Sequence, residues 1–226
     1  MTARLVKRDP VTHSAWYLEF ALDEEITFHA GQFFQLTLDL ANPDDRGNHR
    51  FFGFTNSPTH NRLAGLLTWA GVSAFKQRLA GMAIGDAATV DHVGGALALP
   101  PSPDTPMVIV TSGIGIAPFM SIFRFAAEKS LPYTITLLYS NASREAAPYI
   151  DELESYAQSN PRIKVQSYLT PDEIMPEDFI KSHLSADPNT VYGVTGTPHF
   201  TTPTVQSLKN LGVPPDHLHL ELFTGY

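Results

Sequence analysis

Val108–Phe119 reads VIVTSGIGIAPF: an apolar run gives way to small residues, then to Gly113, Gly115 and Pro118 in a G-x-G-x-x-P spacing. That order fits a strand running into a helix. Anions are held at such a junction because the first N–H groups of the helix are free and its dipole is positive there. Glycines at 113 and 115, with Ile114 between them, let the backbone approach a pyrophosphate with no Cβ in the way. Pro118 suits the first helical turn, where its missing N–H costs nothing. The chemistry is dinucleotide binding. The third glycine of the usual fingerprint is absent, so a βα turn without a ligand fits the letters equally well.

Ser140–Glu145, SNASRE, follows the next apolar run. In a doubly wound sheet this loop falls near the adenosine ribose. It has no acid before Glu145, whereas Ser140, Ser143 and Arg144 suit a 2′-phosphate, so it favours NADPH over NADH. A solvated loop arginine is the alternative. His217, His219 and Glu221 alternate and would share one strand face. One extended strand is a poor facial arrangement for a metal, so none is expected. The chain has no cysteine, which excludes disulfides, a thiol nucleophile and a cysteine-held iron–sulfur cluster within these residues. No G-x-S-x-G occurs, which argues against a serine hydrolase.

These residues need elements to position them. The first hundred residues read as short strands: Ser14–Leu22, Gly31–Leu40, Arg50–Pro58, Leu63–Ala70 and Ala87–Val93. Their spacing suggests an antiparallel barrel or sandwich. GVSAFKQRLAGM interrupts them with a helical spacing of Phe75, Leu79 and Met82, and Ser73 is its N-cap candidate. Pro100–Pro106, PPSPDTP, reads as a linker. After it, strands (Val108–Val110, Tyr133–Ser140, Arg162–Leu169, Thr190–Gly196, and HLHLELF) alternate with helices (Pro118–Lys129, Ala147–Gln158, and TTPTVQSLKNLG). That alternation predicts a parallel sheet covered by helices. The expected domains are residues 1–101 and 102–226.

The chain has 226 residues, enough for two compact domains, and its 43% hydrophobic content can fill their cores. Its formal charge of −8 argues against nucleic acid as a partner. The N-terminus MTARLVKRDP lacks an apolar signal core, and the most apolar window, Met107–Phe123, is broken by Gly113, Gly115 and Pro118. A cytoplasmic protein without a membrane span is expected.

AGQFFQL, RFFGFTNSP, GVSAFKQRL, SGIGIAPF, LLYSN, VYGVTGTP and HLELFTGY occur in the order found in ferredoxin–NADP reductase-like flavoproteins, and the chain resembles that family from Gly31 to Tyr226. The resemblance implies a flavin-binding antiparallel β-barrel followed by an α/β NAD(P)-binding domain. Arg50 would pair with flavin phosphate, a bidentate task for a guanidinium. Phe52 stands where a tyrosine packs on the isoalloxazine, and Gly53 where a hydroxyl usually meets flavin N5. Phe51 and Thr55 are counted with them. Gly71, Val72 and Ser73 match the segment that opens a helix toward the flavin pyrophosphate, which favours FAD, with FMN as the alternative. Thr195, Gly196, Thr197 and Pro198 replace the family's C-G-P near the nicotinamide. Glu221 and Phe223 match an E-x-F pattern near the flavin, and Tyr226 would cover the ring. The implied activity is hydride transfer from NADPH or NADH to flavin, then electron transfer to a separate acceptor, expected to be a redox protein. The chain would be a monomer or a small homo-oligomer. A non-catalytic flavin-binding subunit and a flavin-free NAD(P) sensor are the alternatives.

Overall fold

The structure, a computed structural model, describes residues 1–222, so the expectations for Phe223 and Tyr226 lie outside the described residues. The chain forms two compact units. The first comprises Met1–Gly95 with Ala117–Phe125; the second comprises Ala96–Ile116 and resumes at Ala126.

In the first unit β1 (Thr2–Pro10), β2 (Ala15–Leu22), β3 (Phe33–Thr37), β4 (His49–Gly53), β5 (Leu63–Trp69) and β6 (Ala87–Gly94) form one sheet in the order β4-β3-β6-β1-β2-β5. All its pairs are antiparallel. The end strands β4 and β5 approach each other. Just past β4, Thr55 N donates to Gly65 O (3.0 Å), so the sheet curls toward closure. Strand alternation sends Phe34, Leu36, Phe20 and Leu66 into a common core with Phe75 and Leu79 of α1 (Ala74–Ala80). β1 has no strong signal in the letters. Ala3 and Leu5 are fully buried, but Lys7, Arg8 and Asp9 dilute its apolar pattern.

The second unit is built on a parallel sheet of order β11-β10-β7-β8-β9, from β7 (Met107–Ser112), β8 (Ile135–Asn141), β9 (Ile163–Leu169), β10 (Val191–Gly196) and β11 (Leu218–Leu222). β7 is buried at every position, as a central strand covered on both faces must be. A 3₁₀ turn at Gly113–Ile116 leads from β7 into α2 (Ala117–Glu128). α3 (Ile150–Ser159) and α5 (Pro198–Asn210) lie where helical spacing was expected. α4 (Glu177–Ser182) is an addition: six residues anchored by Ile180 are too few to show a period. Tyr133 Oη donates to Pro100 O (2.9 Å), which holds the proline-rich segment to this unit. Among the described residues no helix is long and apolar enough to cross a membrane.

Candidate functional site

In the first unit the chemistry gathers where β4 meets α1. Arg50 and Phe52 share the buried face of β4 opposite Leu36 and Phe34, so a guanidinium enters an aromatic environment. Arg50 is 6% exposed. Its Nη1 donates to the carbonyls of Arg46, Gly47 and His49 (3.0, 3.3 and 2.6 Å), and its Nη2 meets the Asp44 carboxylate (3.1 Å). Its Nε is buried without an acceptor. Desolvation pushes the Asp44 carboxyl up, but the Arg46 N–H and the Arg50 guanidinium outweigh it and hold the group below its ordinary value. Phe52 is buried against Phe75, while Phe51 faces outward beside Phe33 and His49, 47% exposed.

Lys76 is the residue that sequence reasoning missed. It lies on α1 next to the buried Phe75, and its stem crosses Gly71, where a Cβ would sit 3.0 Å from Lys76 Cγ. The side chain is 7% exposed, its Nζ donates to Thr68 Oγ1 (2.6 Å), and Nζ stands 5.3 Å from the Phe52 ring centre. The Arg50 guanidinium lies 5.1 Å from the Phe75 ring centre. Burial, with Arg50 and Arg46 adding repulsion, pulls the Lys76 ammonium down to about 8. Among the described residues no carboxylate pairs with Lys76. Two buried cations, one meeting a single partly exposed carboxylate and the other none, are short of negative charge, and an Arg50 nitrogen lacks an acceptor. A phosphate-bearing cofactor fits that deficit. Ser73 caps α1 by accepting from Lys76 N (3.2 Å), and Val72 beside it is 94% exposed.

Gly53 packs under α2. A Cβ there would lie 2.7, 2.9 and 3.0 Å from Pro118 Cδ, N and Cβ, so the hydroxyl residue usual at this position has no room. The helix is held in place by Ser121 Oγ donating to Asn56 O (2.7 Å) and Arg124 Nη1 donating to Thr55 O (2.8 Å). Thr55 is fully buried, and its hydroxyl makes no hydrogen bond.

In the second unit Gly113 opens the turn at φ +50°, and Ile114 and Gly115 are buried within it. A Cβ on Gly115 would meet Thr111 Oγ1 at 2.7 Å and Thr195 Oγ1 at 3.1 Å. Those two hydroxyls explain the close approach: Thr195 donates to Gly115 O (2.6 Å) and bonds Thr111 Oγ1 (2.8 Å). Thr195 is fully buried, so its hydroxyl supports the turn. Tyr139 Oη, also fully buried, donates to Gly113 O (2.9 Å) and Pro148 O (3.1 Å), and burial pushes its phenol well up. Thr197 caps α5, with Pro198 as its first residue and Gly196 behind it at φ +144°. Both the Gly113 turn and the start of α5 lie at the carboxyl edge of the sheet, where parallel α/β units bind nucleotides.

Ser140 and Arg144 are committed within the chain. Ser140 Oγ donates to Tyr168 O (3.4 Å). Arg144 Nη1 and Nη2 both bind Glu154 (2.7 Å each), and Nη2 also binds Asp151 (2.7 Å). On β11, paired with Thr195 of β10, Glu221 turns Oε1 to the backbone N–H groups of Ala96 and Leu97 (2.9 and 3.4 Å), and burial pushes its carboxyl up.

Residues 109–206 match the family of oxidoreductase NAD-binding domains. Ferredoxin–NADP reductase B of Sorangium cellulosum is 25% identical over 240 residues, covering 98% of this chain and 96% of that protein. The flavohemoprotein of Bacillus subtilis is 23% identical over 210 residues, covering 87% of this chain and 51% of its own length. This chain thus spans about half of that relative. The crystal structure of flavohemoglobin from Malassezia yamatoensis with bound FAD and heme shares the fold at a TM-score of 0.83 and 19% identity, over 98% of this chain and 59% of that one. An antiparallel sheet unit joined to a parallel α/β unit, an oxidoreductase NAD-binding domain match across the Gly113 turn, and a reductase relative aligned nearly end to end agree: the chain is similar to the ferredoxin–NADP reductase-like flavoprotein reductases.

Proposed function

We propose that the chain oxidises NADH or NADPH with a bound FAD and passes the electrons to a separate redox protein. The observation that carries this reading is the pair of buried cations, Arg50 and Lys76, packed on Phe75 and Phe52, with the Arg50 Nε–H donor buried and without an acceptor. Bound flavin supplies a hydride acceptor that can release electrons singly. The chain's own contribution is binding and orientation. Arg50 and Lys76 would hold a flavin phosphate, and with Ser73 committed to the Lys76 N–H, its neighbours Gly71 and Val72 would supply backbone to the same group. The Gly113–Pro118 turn would seat the coenzyme pyrophosphate. Thr195 and Thr111 fix the turn through Gly115, which makes Thr195 a positioning residue. Glu221, Phe223 and Tyr226 remain proposed to act near the flavin. Residues 1–101 and 102–226 are proposed as the flavin and nucleotide domains. With no cysteine in the chain, no cysteine-held cluster within it can take the electrons. The Sorangium relative, named for ferredoxin, suggests a small iron–sulfur protein as the acceptor.

Reconstitution with FAD or FMN, followed by absorption spectroscopy and ferricyanide reduction with each coenzyme, tests the reading. A flavin spectrum that bleaches with NADH or NADPH, together with turnover, is expected. A chain that retains neither flavin overturns it. The Asp44 clamp on Arg50 supports a second reading, a flavin-free nucleotide sensor, which predicts coenzyme binding by a colourless protein.

A further inference from the structure

We infer that the nucleotide-binding unit selects NADH over NADPH, because the one arginine suited to a 2′-phosphate is withheld by its own neighbours. This rests on the proposed coenzyme reading and decides the substrate of the same site. A 2′-phosphate needs cations or free donors beside the adenosine ribose, whereas a ribose diol does not. The segment from Ser140 to Ser159, which follows β8, holds a single cation, Arg144, with the acids Glu145, Asp151, Glu152 and Glu154. The stretch from Leu169 to Phe179, at and after the end of the paired strand β9, has no cation and adds Asp172, Glu173, Glu177 and Asp178. β8 and β9 run parallel, so their carboxyl ends share the edge where the adenosine half would lie.

Arg144 is engaged by two carboxylates at once. It binds both Glu154 oxygens and an Asp151 oxygen, at 2.7 Å each. A charge-assisted fork of this kind is among the strongest polar contacts a guanidinium makes. A 2′-phosphate would have to break it and would then face Asp151 and Glu154 uncovered. Ser140, another donor near the end of β8, is also committed, to Tyr168 O.

Asn141, at the end of β8, points the same way. It is 1% exposed, and although it lies beside the Tyr139 hydroxyl, neither Nδ2 nor Oδ1 closes a hydrogen bond of proper geometry. An amide offers a donor and an acceptor together, which matches a hydroxyl. A phosphate dianion accepts only, so it would leave Oδ1 unpaired.

The test uses the full flavin-loaded chain, with NADH and NADPH oxidation measured against ferricyanide. In parallel, calorimetry follows 5′-AMP and 2′,5′-ADP binding. A kcat/KM ratio of about tenfold or more in favour of NADH is expected, with 5′-AMP bound more tightly than 2′,5′-ADP. The double variant Asp151→Asn, Glu154→Gln frees Arg144 and should move the NADPH-to-NADH ratio about tenfold toward NADPH. A ratio shift reads selectivity and is insensitive to general damage. Equal use of both coenzymes, a preference for NADPH, or a ratio that the double variant leaves in place would overturn the inference while leaving the coenzyme reading intact. Binding of neither nucleotide, with no oxidation of either coenzyme, would remove both.

Discussion

Replacing Gly53 with serine would restore the hydroxyl that related flavin sites carry at that position, and sequence reasoning alone expects it to help. The packing predicts the opposite. The new Cβ would lie 2.7 Å from Pro118 Cδ and 2.9 Å from Pro118 N, where apolar atoms settle at about 3.5–4.0 Å. One obstacle is a closed ring and the other is backbone. Neither can swing aside, because α2 is fastened through Ser121 to Asn56 O and through Arg124 to Thr55 O. Overpacking of this kind costs about 2 kcal/mol, a drop of about 4–8 °C in melting temperature for a chain of this length. Thermal melts of wild type, G53A and G53S check it. G53A and G53S should fall together, since the clash is at Cβ. The double variant G53A/P118A should recover part of the loss, because the ring carbon at 2.7 Å goes while the backbone nitrogen at 2.9 Å stays. Melting of G53S within about 1 °C of wild type, or tighter FAD binding by it, would refute the reasoning.

Lys76→Met tests the buried cation. Its ammonium titrates near 8 in the folded chain against 10.5 in the open. The folded state therefore holds fewer protons between those values, and the burial penalty, about 3 kcal/mol, is fully present below pH 8 and fades as pH climbs to 10.5. The flavin-free Met variant should melt above wild type at pH 7, with the gap closing toward pH 10.5, and it should bind FAD more weakly. Thr195→Val keeps the volume but leaves Gly115 O without its donor. Melts should show a loss of about 1–3 kcal/mol, and KM for the reduced coenzyme should rise more than kcat falls, with Thr195→Ser close to wild type. Asp44→Asn removes the carboxylate that competes for Arg50, so fluorescence titration should show FAD binding tightened by about 3–10-fold.

The sequence carried the fold because both sheets announce themselves by period. Phe34 and Leu36 are buried in β3 while Phe33, Gln35 and Thr37 are half-buried, and the apolar run that opens β7 suits a parallel strand covered on both faces. It carried the close turn after β7 as well, since a positive φ at 113 favours glycine and only glycine clears the hydroxyls behind 115. Pairing was not legible. Arg144 reads as an available cation until α3 brings Asp151 and Glu154 against it, and helix spacing from a loop residue gives no hint of that. Lys76 reads as a surface lysine, and its burial depends on the missing side chain at Gly71 and on Thr68 of β5. Thr195 reads as a reactive-site hydroxyl, and only parallel pairing of β10 with β7 sets it beside Thr111.

The first unit is discontinuous in the chain: residues 117–125 belong with residues that precede Gly95. A nascent polypeptide that has reached only the proline-rich segment already holds all six antiparallel strands, but the carbonyls of Thr55 and Asn56 still await their donors from Arg124 and Ser121. The first unit therefore matures on the ribosome only after synthesis of its neighbour has begun. A gene fragment ended at that segment would yield an unfinished, protease-sensitive product.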